Sequence, residues 1–183
     1  MKFRDLRADE IEVRIQQCKA NGVSLLLYKN ARCDMSILDE TVGAENWQRN
    51  HEVINGNLYC NVGIRCETNI ITHEGEWVFK QDCGTESNTD KEKGEASDSF
   101  KRACVNWGIG RELYTAPFIW VNAEGCKIKE VEGKRDNYGK PIYQCKDKFI
   151  VEAIKINNKK IIGLSIVNTN NNLRVFVMQP PKE

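Results

Sequence analysis

The sequence predicts an α+β fold in which an antiparallel β-meander packs against a long helix, followed by a C-terminal β-rich segment. Three observations carry that expectation. Apolar runs rich in β-branched and aromatic residues lie between Trp47 and Asp82, with turn signals between them. Ala96, Phe100, Ala103, Cys104 and Trp107 then recur at spacings of four, three, one and three, which puts them on one helical face. Further β-rich runs alternate with Asn-rich separators up to Met178.

Taken in order, Ala8 to Gly22 reads as a helix with Ile11, Ile15 and Cys18 on one face and Gly22 past its end. Val23 to Tyr28 (VSLLLY) is short and apolar, a buried strand or extended segment. Asp34 is the expected cap of a second, short helix with Met35, Leu38 and Val42 inward and Gly43 as its stop. The meander is read as Trp47 to Ile54, Leu58 to Glu67 and Trp77 to Asp82. Asn55-Gly56 is the strongest short hairpin signal a sequence carries, and Glu74-Gly75 is a second turn candidate. From Gly84 a polar loop leads into the amphipathic helix. Thr89 or Asp90 is placed to cap it, Glu92 and Glu95 sit in its positive end, and Gly108 and Gly110 stop it.

Beyond Pro117, Phe118 to Val121 form an apolar run, and Glu130 to Pro141 reads as a polar, turn-rich and mobile connection. KFIVEAIKI, KIIGLSIV and LRVFVM, separated by NNK and NTNNN, read as a three-strand meander between Cys145 and Met178. It is either a satellite sheet or an extension of the main one. The expected division is a core over residues 1–121 and a C-terminal β-meander over 122–183, separate from the core or continuous with it.

A chain of 183 residues with 40% apolar and 29% charged side chains is sized for one domain, or one with a small appendage. Its net charge is +1, from 27 basic and 26 acidic residues, less basic than a free-standing nucleic-acid binder usually is. A near-neutral chain still serves if its cations gather on one face and a ring of subunits repeats that face. No two of the eight cysteines are spaced C-x-x-C, and His51 and His73 lie far from any cysteine pair, so no zinc or other metal site is expected. The charged start, MKFRDLRADE, has no apolar core for a signal peptide, and no run of ~18 apolar residues is present. The expectation is a cytoplasmic protein with reduced thiols.

Lys91, Lys93, Lys101 and Arg102 lie off the apolar stripe of the long helix, available to solvent or phosphate. Asp98, Lys101, Arg102, Ala103, Gly108, Ile109, Gly110, Arg111, Leu113 and Tyr114 meet the pattern D-x-x-K-R-A-x-x-x-x-G-I-G-R-x-L-Y. With the strands before it, this stretch resembles the phage single-strand annealing proteins of the Sak type, viral relatives of the eukaryotic recombination mediator Rad fifty-two. The resemblance covers about Phe3 to Trp120. It implies a DNA-binding groove that includes Lys101 and Arg102, with Lys91, Lys93 and Arg111 beside them and Arg32 near a further groove arginine. A position that is basic in eukaryotic members falls at Val105, so the groove is less densely charged here.

Competing chemistries find little support. No G-x-x-x-x-G-K-[ST] phosphate loop, H-E-x-x-H or G-x-S-x-G is present, and the GIGREL run follows a helix, the wrong context for a dinucleotide loop. The acidic pairs Asp39-Glu40, Glu74-Glu76 and Glu92-Glu95 show no convergence of the kind a two-metal nuclease needs. The function that the resemblance implies is cofactor-free, ATP-independent binding of single-stranded DNA and annealing of complementary strands, with no catalytic residue, in recombination or phage DNA repair. Tyr28, Tyr59 and Tyr114 are candidates for stacking on bases; core packing is the plain alternative for each. The partners expected are single-stranded DNA, further copies of the chain in a ring or filament, and a single-strand-binding protein, in a bacterial host of a phage or prophage. A protein-interaction module without annealing activity is the first alternative, and a metal-dependent nuclease the second.

Overall fold

Asn55 and Gly56 take positive φ angles of 52° and 79°, the left-handed pair that a two-residue hairpin requires, and Ile54 pairs with Asn57 across them. That turn sets the register of the central hairpin in the computed structural model, which describes residues 1–67, 75–85 and 91–181, and the side chains of the long helix from residue 94 onward. The elements are β1 (Glu12–Lys19), β2 (Gly22–Tyr28), α1 (Ala31–Val42), β3 (Trp47–Ile54), β4 (Asn57–Glu67), β5 (Gly75–Cys83), α2 (Lys91–Trp107), β6 (Ile119–Asn122), β7 (Ile128–Arg135), β8 (Pro141–Cys145), β9 (Phe149–Asn157), β10 (Lys160–Asn168) and β11 (Leu173–Met178). The chain is α+β, and every strand pairing among the described residues is antiparallel. It forms two compact units: Met1–Asp5 with Asn30–Arg111, and Leu6–Lys29 with Glu112–Glu183.

The first unit holds both helices and the sheet β3-β4-β5. Cys60, Val62 and Ile64 alternate along β4 and are fully buried. Phe100, Ala103 and Cys104 on α2 are buried with them, because the helical and strand periods each bring their apolar residues to one side. The Trp107 indole N–H donates to the Val62 carbonyl at 3.0 Å, the Glu95 carboxylate accepts from the Leu58 N–H at 3.1 Å, and Phe100 stacks on Trp47. A Cβ at Gly84 would lie 2.3 Å from the Glu95 carbonyl oxygen, so only glycine allows the chain to approach the helix there. Burial pushes the Cys60 thiol up to about 11, as fits a small core residue.

Two expectations change in this unit and its neighbour. The short helix begins at Ala31, and its cap is Asn30, whose side chain accepts from the Cys33 N–H at 3.0 Å. Asp34 is instead buried within the first turns. Gly43, at φ 84°, ends the helix as read. The larger correction is in the second unit, where the supposed helix over residues 8–22 is a 3-10 turn (Ala8–Glu10) followed by strand β1. The β1–β2 register slips between Ile15 and Gln17. One extra residue there converts a period-two pattern into the spacing of four and three that mimics a helix.

The second unit is built on the sheet β11-β10-β9-β1-β2-β6. Its C-terminal meander thus continues the sheet that starts with the N-terminal hairpin. Val23, Leu25 and Leu27 on β2, Ile119 and Val121 on β6, and Leu164 and Ile166 on β10 are buried in it. Glu112 is fully buried; one carboxylate oxygen accepts from the Leu6 N–H at 2.7 Å and the other lies 3.6 Å from the Lys159 ammonium. The stretch read as a mobile connection carries β7 and β8, paired as a two-stranded ribbon. All eight cysteines are free thiols, and burial pushes Cys126 up to about 12. No helix among the described residues is long and apolar enough to cross a membrane.

Candidate nucleic-acid interface

The face of β3-β4-β5 that meets α2 carries cations as well as core. Regular pairing places Arg49 of β3 and Lys80 of β5 on either side of Val62. The Arg49 guanidinium lies over the Phe100 ring, 4.4 Å from its centre, and the Lys80 ammonium lies 4.5 Å from the centre of the Trp107 ring. Both are exposed. Lys80 also donates to the Asn106 carbonyl at 2.9 Å, one of the helix-end acceptors that lack an intrahelical partner. Each cation gains from the electron-rich ring face while its charged head stays in water.

Lys101 and Arg102 join this side from the helix. Arg102 lies 3.2 Å from an Asp82 carboxylate oxygen, and Asp82 also accepts from the Asn106 amide. Lys101 lies 4.0 Å from Asp98, which itself accepts from the Thr85 N–H and hydroxyl. Of the helix cations expected to be available to solvent or to phosphate, Lys101 and Arg102 thus each face a carboxylate. These pairs are partly exposed, where ion pairs are weak and exchange readily with solvent or another anion.

The other sequence-derived residues fall in different places. Arg111 donates to the Val105 carbonyl at 3.1 and 3.3 Å and to the Asn106 carbonyl at 3.2 Å, so it closes the C-terminal end of α2. Arg32 is exposed in the first turn of α1. The backbones of Lys91 and Lys93 open α2; their side chains, that of Glu92, the cap candidates Thr89 and Asp90, His73, and Glu74 of the turn candidate lie outside the described residues. Tyr59 sits opposite Glu52 and Cys83, on the face of the sheet turned away from α2. In the second unit, Tyr28 lies under the Arg14 guanidinium, and its hydrogen bond to Glu12 raises its pKa. Tyr114 is 69% exposed, so core packing does not account for it. His51 reaches the Ala96 carbonyl at 3.1 Å, and no group of three or more metal-ligating side chains occurs among the described residues.

Arg49 and Lys80 escaped the sequence reading. Each sits at an alternate position of a strand, which is the only local signal; their shared neighbour Val62 emerges from the register.

Comparison with family models supplies an independent line. The model of the Rad52/22 family double-strand break repair protein matches residues 4–131 of this chain. That span takes in β1 to β6, both helices and the cationic side chains of the α2 face, and stops before β8. Comparison with curated proteins and with solved structures finds no match.

Proposed function

The chain belongs to the Rad52/22 family of double-strand break repair proteins, and on that premise we propose that it binds single-stranded DNA and anneals complementary strands without ATP. The observation that carries this reading is the set of cations around α2: Lys101 and Arg102 on the helix, Arg49 and Lys80 on the strands beneath it. Two complementary strands repel through their phosphates. A track of Lys and Arg offsets that repulsion and releases counterions, and strand pairing itself then drives the reaction. Phosphate oxygens would take the place of Asp82 and Asp98 beside Arg102 and Lys101. Lys91, Lys93, Arg32 and Arg111 would flank the track, and Tyr114, the most exposed of the three tyrosines, would be the candidate for base stacking.

In this reading residues 1–121 form the annealing core, and many copies repeat the track in a ring or helical filament, because each copy offers few contacts and affinity comes from repetition. The setting is a phage or prophage protein acting in a bacterial cytoplasm, alongside a single-strand-binding protein. The test is annealing of complementary labelled oligonucleotides without ATP across a salt series. K101A/R102A is expected to lose at least about tenfold in single-strand affinity, as the removal of two phosphate contacts implies, with particle size and thermal unfolding retained. Undiminished annealing by that variant would remove the α2 track from the mechanism.

A second reading, an accessory module that binds protein partners, is favoured by one feature. β11 is an outer strand with Leu173 and Val177 about half exposed, and such an edge can accept a further strand. Salt-sensitive binding of single-stranded DNA separates the two readings.

A further inference from the structure

We propose that the β7–β8 ribbon is a second single-stranded DNA contact, using a basic tip with a projecting tyrosine. It goes beyond the α2 track and rests on the reading of the chain as a single-strand binder. The tip is built, not loose. The Asp136 carboxylate accepts from the Tyr138 N–H at 2.9 Å and the Lys140 N–H at 2.8 Å, the Asp136 N–H donates to the Lys140 carbonyl at 2.9 Å, and the Gly139 N–H donates to the Asp136 carbonyl at 3.0 Å. Asp136, the one acidic group of the tip, is thereby committed to the turn.

What the turn presents is the functional point. Residues 132–140 are all exposed, and the Tyr138 ring is 88% exposed. It is flanked by Lys134, Arg135 and Lys140, of which Arg135 has only a long 3.9 Å contact to the exposed Glu130. Residues 134–140 hold three Lys or Arg against one Asp, a net +2 in a chain whose total is +1, so the remainder is net −1. Positive charge is therefore concentrated at the tip of this ribbon. An exposed aromatic face on a hydrogen-bonded turn, between cations, matches one unpaired base with its neighbouring phosphates. A duplex offers no such base face, so the ribbon selects single strands.

The test uses the full chain and an oligothymidine carrying 5-bromouracil. Photo-crosslinking followed by peptide mass spectrometry is expected to place the adduct on Tyr138. Y138A is expected to weaken binding by about tenfold. K134A/R135A/K140A is expected to make the slope of log affinity against log salt shallower by about 2, from three phosphates at roughly 0.7 each. Both variants keep Asp136, and unchanged thermal unfolding checks the fold; the crosslink in the unaltered chain stands whatever the variants do. No adduct on the ribbon, with affinity and slope unchanged in variants whose K101A/R102A counterpart has lost binding, overturns this inference and leaves the proposed function standing. Failure of the unaltered chain to bind the oligonucleotide at low salt overturns both.

Discussion

Arg102 and Asp82 stand 3.2 Å apart on the surface that the α2 track would offer to DNA, so a phosphate must compete with a carboxylate already in place. An exposed pair of this kind contributes about 0.2–1 kcal/mol, small beside several charge-assisted phosphate contacts, yet enough to tune affinity. D82N is therefore expected to tighten single-strand binding by up to about fivefold, while the amide still accepts from neighbouring donors and the fold is retained. Fluorescence anisotropy with an oligothymidine checks it; equal or weaker binding would mean that Asp82 positions Arg102 instead of competing for it. Lys101 and Arg102 were legible in the sequence because a helical period shows directly which residues lie off the apolar stripe. Arg49 and Lys80 were not, because alternation along a strand leaves open which face is covered and which residues lie opposite one another. Arg111 was found by its motif, but its contacts were not legible, since three hydrogen bonds to helix-end carbonyls depend on where the chain turns after Gly110.

At the scale of elements, turn chemistry carried most of what could be read ahead. Asn55-Gly56 fixed the central hairpin, and Asn158 and Lys159, both at positive φ, close β9 onto β10 where the NNK separator stands. The first element failed for an equally local reason: the slip in register near Gln16 leaves Ile15 and Cys18 three apart on a strand, which with Ile11 just before it reads as a helical spacing. The ribbon failed because its polar residues hid two short strands whose pairing is irregular between Glu130 and Arg135. The short helix was found while its cap was misplaced, since Asn30 and Asp34 both suit the role and only one precedes the first turn. N30A is expected to cost about 1 kcal/mol and to lower the melting temperature by about 2–4 °C, whereas D34A removes a buried group and should cost more. Thermal unfolding of N30A checks the cap, and an unchanged melting temperature would reverse the assignment.

For the whole molecule, a net charge of +1 means that one copy has little long-range attraction for a polyanion. In the proposed function annealing would then depend on how copies join, and the first unit offers edges through which they could repeat. Its sheet has two different outer strands, β3 and β5, and contact between one edge and the other in the next copy is head-to-tail, the arrangement that closes into rings or runs on as a filament. β5 carries Trp77 and Phe79, 41% and 50% exposed with ring centres 6.4 Å apart. Phe79 lies over Gly63, where an added Cβ would come within 2.4 Å of its ring, so one side of that ring is packed within the copy and the other is left for a neighbour. Replacing both with serine, as W77S/F79S, is expected to reduce the particle to the mass of one chain in light scattering. It should also weaken single-strand binding, although Lys101 and Arg102 are untouched, because the contacts would no longer repeat along one strand. W77F/F79Y should keep the assembly, which separates loss of the aromatic face from a general effect of substitution. A serine variant that retains its assembled mass would show that the copies meet elsewhere, and the head-to-tail use of β5 would have to be abandoned even if the chain still anneals DNA.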